Sequence, residues 1–168
     1  MDGAIAPWEA WVRSTGLHAF VLGHAWLWPT LETLHYIGLS LLLGAVGLFD
    51  LRVLGVAKAI PPAALHRLIP LGIAGFGLNL LTGIVFFSGF PEQYAYNPAF
   101  WSKLAFMAVA GANIALFYSA AFAGVKAVPA GGDAPALAKA LAAVSLGCWI
   151  AVLICGRLLT FFRPPFFH

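Results

Sequence analysis

Glu32 and His35 stand one helical turn apart near the start of a long apolar stretch, LETLHYIGLSLLLGAVGLFD, which closes on Asp50. Residues i and i+3 share a helix face, and Glu-x-x-His is the spacing with which di-metal carboxylate bundles hold their ions. Those bundles need a second such pair and two further glutamates. This chain has one pair and no spare acid at that depth, so di-iron oxygenase chemistry is disfavoured. A lone imidazole in an apolar helix keeps two chemistries open, axial ligation of a haem iron or a share in a small metal site. His24, across the break at Pro29, makes His24 and His35 the candidate metal pair. Copper handling favours several histidines, thiolates or methionines, and the chain has only Met1 and Met107. Its two cysteines, Cys148 and Cys155, are roughly 10 Å apart along a helix. That is too far for a disulfide, and both read as packing residues.

The elements that position these groups follow from composition. The chain has 168 residues, 62% hydrophobic and 9% charged, with a mean hydropathy of +0.92. A soluble domain carries about 25% charged residues, so this is the composition of an integral membrane protein. The nine basic residues are scattered, which excludes a nucleic-acid surface and suits loop anchoring. No phosphate loop, nucleophile elbow or zinc motif occurs, so hydrolase and kinase readings fall away. No Lys or Arg precedes Arg13, so the N-terminus lacks a secretory signal pattern.

Four segments are long enough for a ~30 Å hydrocarbon core, at 29–55, 62–89, 99–125 and 136–161. Pro61-Pro62, the run from Pro91 to Pro98 and the run from Val128 to Pro135 punctuate the joints. Joints this short force antiparallel neighbours. The expected fold is all-α, an up-down-up-down four-helix membrane bundle over 29–163. It is preceded at 1–28 by an amphipathic segment, with Trp8, Trp11, Trp26 and Trp28 at headgroup level. A plain extension packed on the bundle is the other reading of that segment. Arg52, Lys58, Arg67, Lys126 and Lys139 gather at the joints after the first and third spans. The positive-inside rule then puts both termini on the periplasmic side of a bacterial inner membrane.

Matching spans by depth yields two polar layers. His35 lies about 9 Å from the outer end of its span at 1.5 Å per residue. Thr82 and Asn79 on the second span, Lys103 and Met107 on the third, and Arg157 on the fourth fall in the same outer layer as Glu32 and His35. A charge inside lipid costs roughly 2.5–3.5 kcal/mol and turns toward a bundle interior, so Glu32 is expected to meet Lys103 or Arg157. Two roles are open for this layer, an ion-paired lock without chemistry and the seat of a prosthetic group. The inner layer holds Asp50, Arg52, His66, Arg67 and Tyr118, with an Asp50 clamp to histidine or arginine as its expected form. His35 and His66 lie near opposite membrane faces, so they cannot ligate one haem together.

The segments WPTLETLHYIGLSLLLGAVGLFDLRVLG, GFGLNLLTGIVFF, YNPAFWSKL and SLGCWIAVLICGRLLTFF together resemble an uncharacterised family of small bacterial four-span membrane proteins. The resemblance rests on Glu32-x-x-His35, Asp50-Leu-Arg52 and Asn97-x-x-Phe100-x-x-Lys103. His35 and the architecture are more distantly similar to the copper resistance protein D family and to HemJ-type protoporphyrinogen oxidases. The HemJ-type resemblance implies haem b on such a histidine. The expectation is therefore a haem b-associated membrane protein passing electrons to or from quinone or a redox partner. His35 is its axial ligand, Lys103 and Arg157 anchor propionates or a quinone headgroup, and Glu32, Thr82 and Met107 complete the site. The alternatives are copper or other metal handling through His24 and His35, and a structural accessory subunit. Whether the protein is an enzyme stays open. A homo-oligomer through glycine-rich faces is compatible with all of these readings.

Overall fold

Pro29, Pro62, Pro70, Pro91 and Pro98 all fall in the first turns of helices, where a missing N–H costs nothing. They divide the chain into the elements of the computed structural model, which describes residues 6–162. Asp2, Arg163 and His168, like the outer ends of the two expected segments, lie outside the described residues. The described residues form helices and connecting turns, with no strand among them. Two short helices, α1 (Pro7–Arg13) and α2 (Gly16–Gly23), precede the spans. Then come α3 (Leu27–Leu54), α4 (Pro62–His66), α5 (Ile69–Gly89), α6 (Pro91–Ala95), α7 (Pro98–Leu116), α8 (Phe122–Lys126) and α9 (Ala136–Leu158).

Four continuous helical stretches, Leu27–Leu54, Pro62–Gly89, Pro98–Lys126 and Ala136–Leu158, are long and apolar enough to cross a membrane. The protein is a multi-pass helical membrane bundle. α3 ends where Gly55 takes φ 112°, its N–H and that of Val56 closing on the carbonyls of Arg52 and Leu51. Only glycine adopts this left-handed backbone cheaply. Pro70 cannot continue the hydrogen-bond ladder from α4, so a turn at Arg67 and Leu68 separates α4 from α5. A π-helical turn, Phe117–Ala121, joins α7 to α8.

α3 is the central helix. It packs along α5 on one side and α9 on the other, and α7 packs on α9. α5 and α7 do not pack closely on each other. The α3–α5 crossing is tight because both helices present glycine. A Cβ built on Gly75 would lie 2.5 Å from the Gly38 carbonyl oxygen, and one on Gly38 would lie 2.8 Å from that of Gly75. Inner, central and outer apolar clusters fill the bundle, around Phe49 and Val53, Leu42 and Trp149, and Leu27 and Leu31 respectively.

The inner loops are tied together across the bundle. Arg52, 1% exposed, donates from Nε to the Ile60 carbonyl and from Nη2 to the carbonyls of Lys58 (3.2 Å) and Gly132 (3.1 Å). Asp133 adds ion pairs to Lys58 at 2.7 Å and Lys139 at 2.9 Å. Hydrogen bonds from these two lysines hold the Asp133 carboxyl down to about 2.

The N-terminal helices are docked on the outer end of the bundle. α2 lies on α5, with His18 Nδ1 2.8 Å from the Ser88 carbonyl and Val21 against Gly89. Arg13 reaches Glu9 at 2.9 Å and Glu92 at 3.1 Å, tying α1 to α6. Of the four tryptophans expected at headgroup level, Trp11 and Trp26 are well exposed. Trp8 and Trp28 instead pack their rings on Phe87 and on Phe86 and Phe90. The segment therefore combines an interfacial rim with a packed extension.

Candidate functional site

Depth matching brings one pair together as expected. His35 Nδ1 lies 2.7 Å from Thr82 Oγ1, linking α3 to α5. The Thr82 hydroxyl has a single hydrogen and sits 2.8 Å from the Leu78 carbonyl one turn back, the usual back-bond of a helical threonine. That hydrogen can go to only one of the Leu78 carbonyl and His35 Nδ1, and the Asn79 nitrogen, once its amide is turned, also lies 3.3 Å from Nδ1, so these contacts fix the position of the ring rather than its tautomer. Asn79 braces the same spot. With its NH2 turned to the His35 carbonyl (2.7 Å) and its oxygen to the Leu39 N–H (2.9 Å), its amide bridges the α3 backbone. Phe86 stands edge-on to the imidazole, ring centroids 5.7 Å apart.

The rest of the outer layer is arranged differently from expectation. Glu32 is exposed and accepts a hydrogen bond from Trp28 Nε1 at 3.2 Å on its own helix. The expected ion pair with Lys103 or Arg157 is not formed, because position 32 turns to the outside of α3. Lys103 is half-buried and is the charged neighbour of His35, without a salt bridge. Arg157 is exposed, its guanidinium 5.5 Å from the ring centre of Phe161. Met107 turns instead into the cluster of Leu42, Cys148 and Trp149. His24 closes α2, its Nδ1 2.8 Å from the Phe20 carbonyl and its ring against the Phe20 ring. Among the described residues no group of three or more His, Cys, Asp or Glu gathers to hold a metal ion.

The inner layer departs further. The expected Asp50 clamp is absent. Arg52 points into the loops, and His66 Nε2 lies 2.9 Å from the Tyr118 hydroxyl, its ring between Phe49 and Phe122. Asp50 is 5% exposed, and its Oδ2 has no hydrogen-bond partner. Trp149 Nε1 is likewise buried and unpartnered. Buried polar atoms without partners are rare in native structures, and these two sit on the walls of the same cavity.

That cavity, of about 250 Å³, occupies the inner half of the bundle between all four spans. It exists because α5 and α7 stand apart while α3 and α9 close the back. Its walls are mainly apolar and aromatic, and Asp50, Asn113, Ser145 and Tyr118 are its polar members. Asn113 also pins α7 to α9 through the Leu141 carbonyl at 3.0 Å. Ile73 and Ile114, which flank the gap between α5 and α7, are 66% and 40% exposed, so the cavity opens sideways toward the lipid. Gly111 lies at the same mouth, and a Cβ added there meets nothing within 4 Å. Tyr118 belongs to the π-helical turn, an irregularity often found at functional sites. Of the residues expected in the outer layer, Met107 lines this cavity, whereas His35, Thr82 and Lys103 are not on its walls.

Sequence reasoning missed this site. The signal available to it was Asp50 itself, a carboxylate at the inner end of an apolar span. Comparison with family models, with curated proteins and with solved structures finds no match to this chain.

Proposed function

We propose that this multi-pass protein binds a lipophilic small molecule taken from the bilayer into the cavity between α3, α5, α7 and α9. The observation that carries the reading is the combination of an apolar cavity with a lateral mouth and a buried carboxyl on its wall, hydrogen-bonded to Ser145 but with Oδ2 left without a partner. Small-molecule sites are concave and mostly apolar, with a few placed polar groups. The basic inner joints support placement in a bacterial inner membrane with both termini periplasmic. Thermal unfolding of the purified chain with and without neopentylbenzene, a neutral ring-bearing probe, tests the reading. Saturating probe should raise the midpoint, a ligand at 100 times its Kd stabilising by about 2.7 kcal/mol. Gly111→Leu, which projects a side chain into the open mouth, should abolish the shift. A wild-type protein indifferent to the probe refutes the reading.

A second reading is favoured by one observation, the imidazole of His35 held at Nδ1 by Thr82 at 2.7 Å. Histidine ligands are normally oriented by such a bond at the other ring nitrogen. The donor fits single axial ligation of haem b, which would serve electron transfer with quinone or a redox protein. The inner cavity does not reach it, so the macrocycle would sit elsewhere, on the helix exterior or at a contact with a second copy. A haem absorption band that His35→Ala removes and His66→Ala leaves would support this reading. Protein that purifies colourless from haem-supplemented cells would end it. Metal handling through His24 and His35 has less support, since among the described residues no group of three or more His, Cys, Asp or Glu gathers.

A further inference from the structure

We infer that the inner cavity selects an organic cation, an apolar ring-bearing body carrying a quaternary or protonated amine, with Asp50 as its counter-ion. The inference rests on the ligand-binding reading above and adds the charge of the ligand. Asp50 is buried within the membrane-spanning part of α3, and none of the ion pairs among the described residues includes it. The nearby cations are turned elsewhere, Arg52 through Nε and Nη2 to loop carbonyls, with Nη1 buried and without a partner, and Lys58 and Lys139 to Asp133. A carboxylate in that position is costly unless a positive charge joins it or it takes up a proton, and among the described residues no cation pairs with it.

The walls match the same ligand. Phe76 and Trp149 meet edge to face with centroids 6.1 Å apart, and so do Phe49 and Phe117 at 5.7 Å. All four line the cavity. Aromatic faces around a space attract ammonium groups, the more so when water is excluded. A bare metal ion is a poor alternative, because among the described residues Asp50 belongs to no group of three or more His, Cys, Asp or Glu, which falls short of the four or more ligands such ions take. The apolar remainder of the cavity accepts the ligand's hydrocarbon, and the gap beside Ile73 and Ile114 admits it from the lipid.

Benzyltrimethylammonium and its neutral isostere neopentylbenzene differ only in nitrogen for carbon and hence in charge. Calorimetric titration of each into the full chain in nanodiscs, for the wild type and Asp50→Asn, tests the inference. The cation should bind the wild type and weaken about tenfold or more in Asp50→Asn, while neopentylbenzene stays within about twofold, which also shows the cavity intact. Binding of neopentylbenzene but not of the cation to the wild type overturns the charge selection and leaves the lipophilic site standing. Equal cation affinity in the two proteins overturns the role of Asp50. Binding of neither probe to the wild type overturns the site itself.

Discussion

Replacing Gly75 with alanine adds one methyl group at the point where α3 and α5 come closest. The new carbon would sit 2.5 Å from the Gly38 carbonyl oxygen, 2.8 Å from the Leu42 nitrogen and 2.9 Å from the Leu41 Cβ, where ordinary contact begins at 3.4 Å. Two of these atoms are backbone and cannot rotate away, so the helices themselves must part. Overpacking of this kind costs about 1–3 kcal/mol, and the backbone clash argues for the upper half of that range. Alanine returns about 0.8–1 kcal/mol of helix propensity, so the net loss is about 1–2 kcal/mol. For a chain of this size that lowers the melting midpoint by roughly 2–8 °C. Parting the helices also strains the Asn79 bridge to the α3 backbone and the His35–Thr82 bond. Gly77→Ala is the control, because a Cβ there meets nothing within 4 Å and should leave the midpoint level or slightly higher. Melting curves of the three proteins, taken in one detergent at one scan rate, decide the matter. A Gly75→Ala protein as stable as Gly77→Ala would refute the tight-crossing argument.

Arg52→Leu should destabilise by about 3 kcal/mol or more in the same assay, since it strips donors from the Ile60 and Gly132 carbonyls at about 1–3 kcal/mol for each orphaned group. The Lys58 carbonyl suffers less, because the Gly131 N–H still reaches it at 2.7 Å. Thr82→Val removes the hydrogen-bond partner of His35 Nδ1 and should cost about 1–2 kcal/mol, whereas Thr82→Ser, which keeps the hydroxyl, should melt close to the wild type. Asp133 titrates at about 2 against an ordinary 3.8. A depressed carboxyl contributes stability above its unfolded value and loses it as pH falls toward its folded one. The melting advantage of the wild type over Asp133→Asn should therefore be present at pH 6 and vanish near pH 2.

The spans were legible to within a few residues at each end, because proline and glycine joints interrupt otherwise unbroken apolar runs. Depth was legible too, and it correctly put His35 beside Thr82. Rotation about each helix axis was not. Glu32 and His35 share a face only loosely, the i to i+3 step leaving about 60° between them at 3.6 residues per turn, and that angle carries Glu32 outward to Trp28. Asp50 and His66 match in height, yet His66 turns to Tyr118 across the bundle. Met107 shares the height of the outer layer but faces Leu42 and Trp149. The cavity was out of reach for a related reason. It depends on α5 and α7 standing apart, a relation between helices that no single run of residues encodes.

The clasp at Arg52 also orders events in time. Its partner carbonyl at Gly132 lies 80 residues further along the chain, beyond the second and third spans. As a chain grows from its N-terminus, α3 and α5 can close on their glycines as soon as both exist, whereas the guanidinium waits, half-satisfied, until the last loop is made. The contacts of α3 therefore fall into two sets, an early one to α5 and a late one to α9 and the last loop. A ribosome-bound nascent chain halted before Gly132 should hold the first hairpin and lack the second lock, which makes Arg52 a checkpoint of completion as well as a strut.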